Sequence, residues 1–444
     1  MKFPRPYLNS LVLCISALIA FCVATGIYGA FRSSIDLVNI YAGARCLFHG
    51  CNPYDTSQLE QQYFQSGGRA DELAPWENEV PMYPPSTLMA LSPLTLLRFP
   101  EARVLWFLLN GCLFVTSAGM ILSVCPRSHR WFSTILISLL LVSIGLPLAL
   151  GNPAIFAISL LIIGCYFLFR SRFLPLGAFL LMLSVAAKPQ IGVLIVLYLL
   201  VKGIHRRYVV AAMAGALALL LTAGLILSLQ PRSTGWTSTL SSDISASMEP
   251  GGINDPEPAN SHAITLINLQ AITSVFFPDA REYNAIAYAV LLVLLAVLIA
   301  VVLRTNACQE IYFLSIGALS ALSLMPVYHR IPDARLFLIS IPAVAIVYQK
   351  RRLLGFLIGA LTVLETISIQ GRVQVFIEHH EMWQSILQNK LLFVLLLRQQ
   401  NLELLILFCL YMVAIFSIRF AGAPANGGSH MPSTGAGLNC IKAA

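Results

Sequence analysis

Apolar runs recur along the whole chain, each closed by a charged or turn-forming residue. They fall at about 8–30, 102–124, 132–149, 153–169, 173–187, 190–202, 208–229, 285–303, 310–326, 334–349, 353–370 and 404–419. About 20 apolar residues in helix cross the hydrocarbon core of a bilayer, and helix is the open-chain structure that satisfies the backbone in lipid. The pattern therefore predicts an all-α integral membrane protein with about 12 transmembrane helices. Lys2 and Arg5 precede the first run, which lacks a short apolar core followed by a small-residue cleavage site, so it is expected to remain as an uncleaved helix.

Three longer, more polar segments interrupt the runs, at about 31–101, 230–284 and 371–403. The first holds an amphipathic stretch, Asp36–His49, then a polar stretch at 58–80, then an apolar run from Ser86 to Phe99. Pro84-Pro85 suits a helix start, and that short run reads as interfacial. The second segment is rich in Ser, Pro and Gly around Ser241–Ala263 and reads as a mobile loop. In the third, Arg398-Gln399-Gln400-Asn401 breaks an apolar pattern, as in a helix pair dipping into the bilayer. The membrane domain is thus expected over 1–420, with a disordered Gly-, Ala-, Ser- and Pro-rich tail at 421–444.

Composition agrees with the pattern, since 11% of the 444 residues are charged against about 25% in soluble domains. The net charge of +8 does not describe a nucleic-acid surface, because the basic residues sit mostly in short loops. With the N-terminus inside, these loops carry Arg127/Arg130, Arg170/Arg172, Lys202/Arg206/Arg207, Arg304 and Lys350/Arg351/Arg352, as the positive-inside rule expects. Of the 20 acidic residues, Glu310 alone then falls inside. The three long segments share the outer face. Cysteines within apolar runs, such as Cys112, Cys165 and Cys409, read as small hydrophobes, and no zinc-type spacing occurs.

Candidate chemistry follows from this asymmetry. Asp36 lies just past the first run at the outer boundary, where a carboxylate can take a proton from a hydroxyl within hydrogen-bond reach. Ser33-x-x-Asp36 also fits a helix-start pattern, in which the acid only complements the helix dipole. Lys188 stands between two apolar runs with almost no polar company; such a cation either serves a site or snorkels to the headgroups. His329 and Arg330 occupy a short outer loop, where an Arg330–Asp333 surface pair is the plainer alternative. Arg45 comes nine residues after Asp36, so it projects from nearly the opposite side of a shared helix. Cys46 and Cys51 flank Gly50 on the outer face, where either a disulfide or two free thiols fit the spacing. Tyr54, Tyr63, Trp76 and Tyr83 suit sugar stacking or an interfacial aromatic belt.

Asp36 and Tyr41, then Ala44-Arg45, Gly50-x-Asn52-Pro53-Tyr54-Asp55, Tyr83-Pro84-Pro85, Lys188-Pro189-Gln190 and Tyr328-His329-Arg330 with Asp333 follow in this order. The order resembles membrane glycosyltransferase family 87, which includes polyprenol-phosphate-mannose-dependent mannosyltransferases, over about residues 10–420. The resemblance implies a GT-C multi-helix bundle with amphipathic outer-loop helices. It implies inverting transfer of a sugar, mannose above all, from a polyprenyl-phosphate carrier to a hydroxyl of a lipid or glycan acceptor. The site would face the periplasmic or extracellular side of the cell membrane, surrounded by membrane lipids. Asp36 takes the place of the base; Lys188, His329, Arg330 and Arg45 are the candidates for the donor phosphate. Tyr41, Tyr83, Asn152 and Gln190 are the candidate substrate contacts. No metal, cofactor or nucleotide sugar is expected, and nucleic acid is not an expected partner. Many members place Gly-Gln at the start of the fourth span; here Gly151-Asn152-Pro153 stands, an amide on a shorter stem. A transporter or flippase, a ligase or polymerase of lipid-linked glycans, and a structural subunit remain the rival readings.

Overall fold

The computed structural model describes residues 27, 34–70, 82–305, 308–367, 370–380 and 388–421. The first apolar run (Ile27 apart), Trp76 and the tail beyond Ala421 lie outside the described residues. Among the described residues the regular structure is helical, with one isolated antiparallel bridge between Leu266 and Arg330.

Each apolar run that the structure describes is helical, and residue chemistry marks the boundaries. Pro153 occupies the first turn of the helix Pro153–Phe169, and Asn152 caps it by accepting from the Ala154 amide. Asp279 and Asn389 do the same for Ala280–Arg304 and Lys390–Leu397. Five elements are long and apolar enough to cross a membrane: Phe99–Val124, Arg206–Leu229, Ala280–Arg304, Ile331–Lys350 and Gln399–Ile418. A bent pair, Arg352–Ile367 with Gln370–Ile377, makes a sixth if it is taken as one span.

The described residues thus fall short of twelve full spans, because three of the runs are themselves short and a fourth is divided. Pro153–Phe169, Leu174–Ala187 and Pro189–Val201 have 17, 14 and 13 residues; at ~1.5 Å per residue they are ~20–25 Å long, against ~30 Å of hydrocarbon. The run at 132–149 divides into Arg130–Val142 and Gly145–Leu150. Lys188 alone joins Leu174–Ala187 to Pro189–Val201, and the two fold back on each other. A Cβ built on Gly192 would lie 3.4 Å from Ser184 Oγ and 3.6 Å from Val185 Cγ2.

The interior is built around Pro153–Phe169 and Gln309–Ser323, each buried along most of its length. Peripheral helices instead turn leucine and valine outward, among them Leu217, Leu221 and Leu225, and Leu292 and Val293. That is the arrangement of an integral membrane helical protein, whose outer surface is solvated by acyl chains.

The first long segment forms Ile35–His49, Thr56–Gln65 and Pro85–Leu91. The Asp36 helix is not an amphipathic surface helix. Leu37 through Ala44 are all buried, enclosed in an apolar cluster with Leu59, Tyr63, Phe99, Trp106 and Phe156. Cys46 and Cys51 are joined by a disulfide across its C-terminal turn, with a Cα–Cα distance of 4.6 Å.

The segment 230–284, which reads as a mobile loop, contains helices Trp236–Met248 and Gln270–Phe276 with a 3-10 turn at Ser261–Thr265. Its polar residues are the reason. Asn260 Nδ2 donates to the Gly252 and Asp255 carbonyls at 2.7 and 2.8 Å, and its Oδ1 accepts from the His262 amide at 3.0 Å. In the third segment the last helix, Gln399–Ala421, already includes Gln400 and Asn401. Both are buried, and Asn401 Nδ2 donates to the Leu266 and Asn268 carbonyls at 3.0 and 2.7 Å.

Candidate active site

Breaks between helices converge on one cavity of about 430 Å³. Its walls carry Asp36 and Asn39 from the first segment, Tyr83, Asn152, Lys188 and Gln190, with Asn254, Tyr328, Arg330 and Asp333 opposite.

Gly151 places Asn152. Its φ of +69° is left-handed, a region that favours glycine, and its carbonyl accepts from Trp106 Nε1 at 2.9 Å. A Cβ there would come within 2.7 Å of Leu37 Cβ, so the turn and the Asp36 helix touch backbone to side chain. Asn152 Oδ1 is committed to the Ala154 amide at 2.9 Å. This orients its Nδ2 to donate to Asp36 Oδ2 at 2.8 Å.

Asp36 is only partly accessible, through the cavity. Loss of bulk water around the carboxylate raises its pKa above the ordinary 3.8. The Asn152 hydrogen bond and the positive charges of Lys188 and Arg330 pull the other way without cancelling that effect.

Lys188 occupies the bend between its two helices, with φ −155° and ψ 82°. Thr87 Oγ1 donates to the neighbouring Ala187 carbonyl at 2.9 Å and ties the bend to Pro85–Leu91. Lys188 Nζ donates to Asp333 Oδ1 at 2.5 Å. His329 Nδ1 donates to Asp333 Oδ2 at 2.8 Å. Lys188, His329 and Asp333 are buried, at 8%, 0% and 1% exposure. The carboxylate thus compensates a cation that would otherwise be costly at this depth, which is a different role from a surface pair with Arg330.

Arg330 points its guanidinium at the 253–265 segment. Nη1 donates to Thr265 Oγ1 at 2.7 Å and Nη2 to the Ile253 carbonyl at 2.6 Å. Its backbone bridges to Leu266, and the Ile267 amide donates to the His329 carbonyl at 2.8 Å. The 230–284 segment is therefore a wall of the cavity.

Of the residues singled out in the sequence, Asp36, Tyr83, Asn152, Lys188, Gln190 and Arg330 line the cavity. His329 sits behind the wall, and its Nε2 has no hydrogen-bond partner among the described residues. Tyr41 and Arg45 are not brought to the cavity. Tyr41 packs edge-on against Phe99 at 5.3 Å between ring centroids, and its hydroxyl donates to the Leu97 carbonyl at 2.6 Å. Five and nine residues beyond Asp36 on one helix, both side chains are turned far from its face. Sequence reasoning passed over Asp333 as a site residue, although the i, i+4 spacing of His329 and Asp333 was a usable signal. Asn254 and Asn39 carried no such signal.

The arrangement sets a carboxylate able to accept a proton against Lys188 and Arg330, which are able to hold an anion. Residues 82–326 match the family model of glycosyltransferase family 87. That span includes Asn152 and Lys188, while Asp36, His329, Arg330 and Asp333 lie outside it. No curated protein and no solved structure matches the chain. With the family match covering more than half of its length, the protein belongs to glycosyltransferase family 87 and is a membrane glycosyltransferase.

Proposed function

We propose that the protein transfers a sugar, mannose in the first instance, from a polyprenyl-phosphate carrier to a hydroxyl of a lipid or glycan acceptor, with inversion, on the outer face of the cell membrane. The observation that carries this reading is the Asp36 carboxylate, oriented by Asn152, in one cavity with Lys188 and Arg330. The acceptor hydroxyl gives its proton to Asp36 while its oxygen bonds to the anomeric carbon. The bond from that carbon to the phosphate oxygen breaks on the opposite face, and the electron pair leaves with the polyprenyl phosphate. Lys188 and Arg330 stabilise the charge that develops there.

Asp333 is a positioning residue in this scheme, holding Lys188 and His329 at the wall. Tyr83 and Gln190, which line the cavity, contact the sugar or the acceptor in this scheme. Arg45 and Tyr41, away from the cavity, take no part.

The test is sugar transfer in native membranes from radiolabelled polyprenyl-phosphate mannose, with Asp36→Asn as the variant. We expect transfer to fall by about 10²–10⁴, the usual contribution of a general base, with insertion unchanged. Undiminished transfer in the variant removes Asp36 from the mechanism. No transfer by the wild type removes the donor assignment.

A further inference from the structure

A second cavity, of about 460 Å³, lies at the far end of the Asp36 helix. Four glutamines of Thr56–Gln65 line it, with His49, Cys51 and Arg232. Gln58, Gln61, Gln62 and Gln65 stand at i, i+3, i+4 and i+7, the spacing of one helix face. The opposite face, with Leu59 and Tyr63, is buried in the apolar cluster under the Asp36 helix.

The cavity is held together on several sides. Gln58 Nε2 donates to Asp55 Oδ2 at 2.7 Å, and its Oε1 accepts from the Asn52 amide at 2.9 Å. The Cys46–Cys51 disulfide fixes the floor. Gln230 Nε2 donates to the Leu47 carbonyl at 2.7 Å and Ser233 Oγ to the Cys51 carbonyl at 2.9 Å, which anchors the turn that carries Arg232.

One group in this frame is left incomplete. Gln62 is 8% exposed, and its Oε1 is buried with no hydrogen-bond partner among the described residues. An unmet buried acceptor is unfavourable by ~1–3 kcal/mol; Oε1 is closed off from the cavity that Gln62 lines, so a ligand hydroxyl meets it once the amide turns toward the cavity. Primary amides offer donors and acceptors together, which matches vicinal hydroxyls better than a phosphate or an acyl chain. Among the described residues no carboxylate lines the cavity.

We propose that this cavity binds sugar units of the acceptor, remote from the hydroxyl that is glycosylated. The inference rests on the reading of the acceptor as a glycan. The helix Ile35–His49 has 15 residues, so its ends lie ~20 Å apart. A glycan of several hexoses therefore reaches from the glutamine face to Asp36, whereas a single hexose does not.

The test uses the purified full-length protein in nanodiscs with synthetic α-mannohexaose as probe, binding being measured calorimetrically without donor. Gln61 and Gln65 are exposed, so Gln61→Ala/Gln65→Ala spares the fold, and Gln62→Met probes the incomplete group. We expect each variant to weaken hexaose binding by about tenfold (~1.4 kcal/mol), with Asp36→Asn binding as the wild type does. In transfer assays the double variant should raise KM for a hexaose acceptor while leaving kcat and a single-sugar acceptor unchanged. Wild-type affinity in both variants overturns the proposal, as does a wild type that binds no hexaose. Because binding is read without donor, failure of the donor assignment leaves this result standing, and the reverse holds too.

Discussion

Asp36 can act as a base only while ionised, and its surroundings make ionisation harder. With the carboxyl pKa raised by loss of water, the acid limb of transfer should lie above the pH at which an ordinary aspartate would place it. Transfer should rise as pH rises through that limb. The Asn152 amide favours the ionised form, so Asn152→Ala should move the limb to still higher pH. Hydrogen bonds to charged groups contribute ~1.5–3 kcal/mol, so transfer below the limb should fall about tenfold or more. Paired pH–rate profiles check this, and coincident limbs count against Asp36. At this scale the sequence was readable where a charge stood alone. Asp36 and Lys188 are conspicuous beside apolar runs. Asp333 was not, because its partners are 4 and 145 residues away while Arg330 is the nearer cation.

Elements position these side chains, and the turn at Gly151 is a tight joint among them. Any side chain there meets a left-handed φ and the Leu37 methylene. A non-glycine residue in that conformation costs ~1–2 kcal/mol before the contact is counted. Gly151→Ala should therefore lower Tm and separate Asn152 from Asp36, reducing transfer by about tenfold or more; thermal unfolding together with transfer assays checks both. A variant with unchanged transfer argues that the Asn152–Asp36 contact is dispensable. Element positions were well marked in the sequence, since Pro153, Pro189, Arg206 and Arg352 stand at the ends of apolar runs. Helix lengths were legible at 153–169, 173–187 and 190–202, where Asn152 and Lys188 already end the runs. The division of 132–149 was not, because no charged residue marks the break between Val142 and Gly145. The order in 230–284 was hidden for a related reason. Asn254, Asn260 and Asn268 look like loop composition, and only the bonds of Asn260 within the segment and those of Arg330 to Asn254 and Asn401 to Asn268 reveal a wall.

For the whole molecule, the distribution of charge makes a prediction about sidedness. Thr56 and Arg351 are both exposed and fall on opposite sides in the proposed orientation. Thr56→Cys should react with a membrane-impermeant maleimide on intact cells, and Arg351→Cys only after permeabilisation, the wild type serving as the blank. The reverse pattern would place the candidate cavity on the inner face.

The hairpin bent at Lys188 bears on how a lipid-linked substrate is met. Its arms are 14 and 13 residues long, ~20 Å each. Their other ends carry Arg172 and Lys202, charges that belong at a membrane boundary. Measured from there, the bend reaches about two-thirds of the way through ~30 Å of hydrocarbon. In the proposed orientation the candidate cavity would therefore open below the lipid headgroups. A lipid-linked sugar, if that is the donor, would then lower its polar head into the recess while its tail stayed among the acyl chains, with no greasy segment lifted into water.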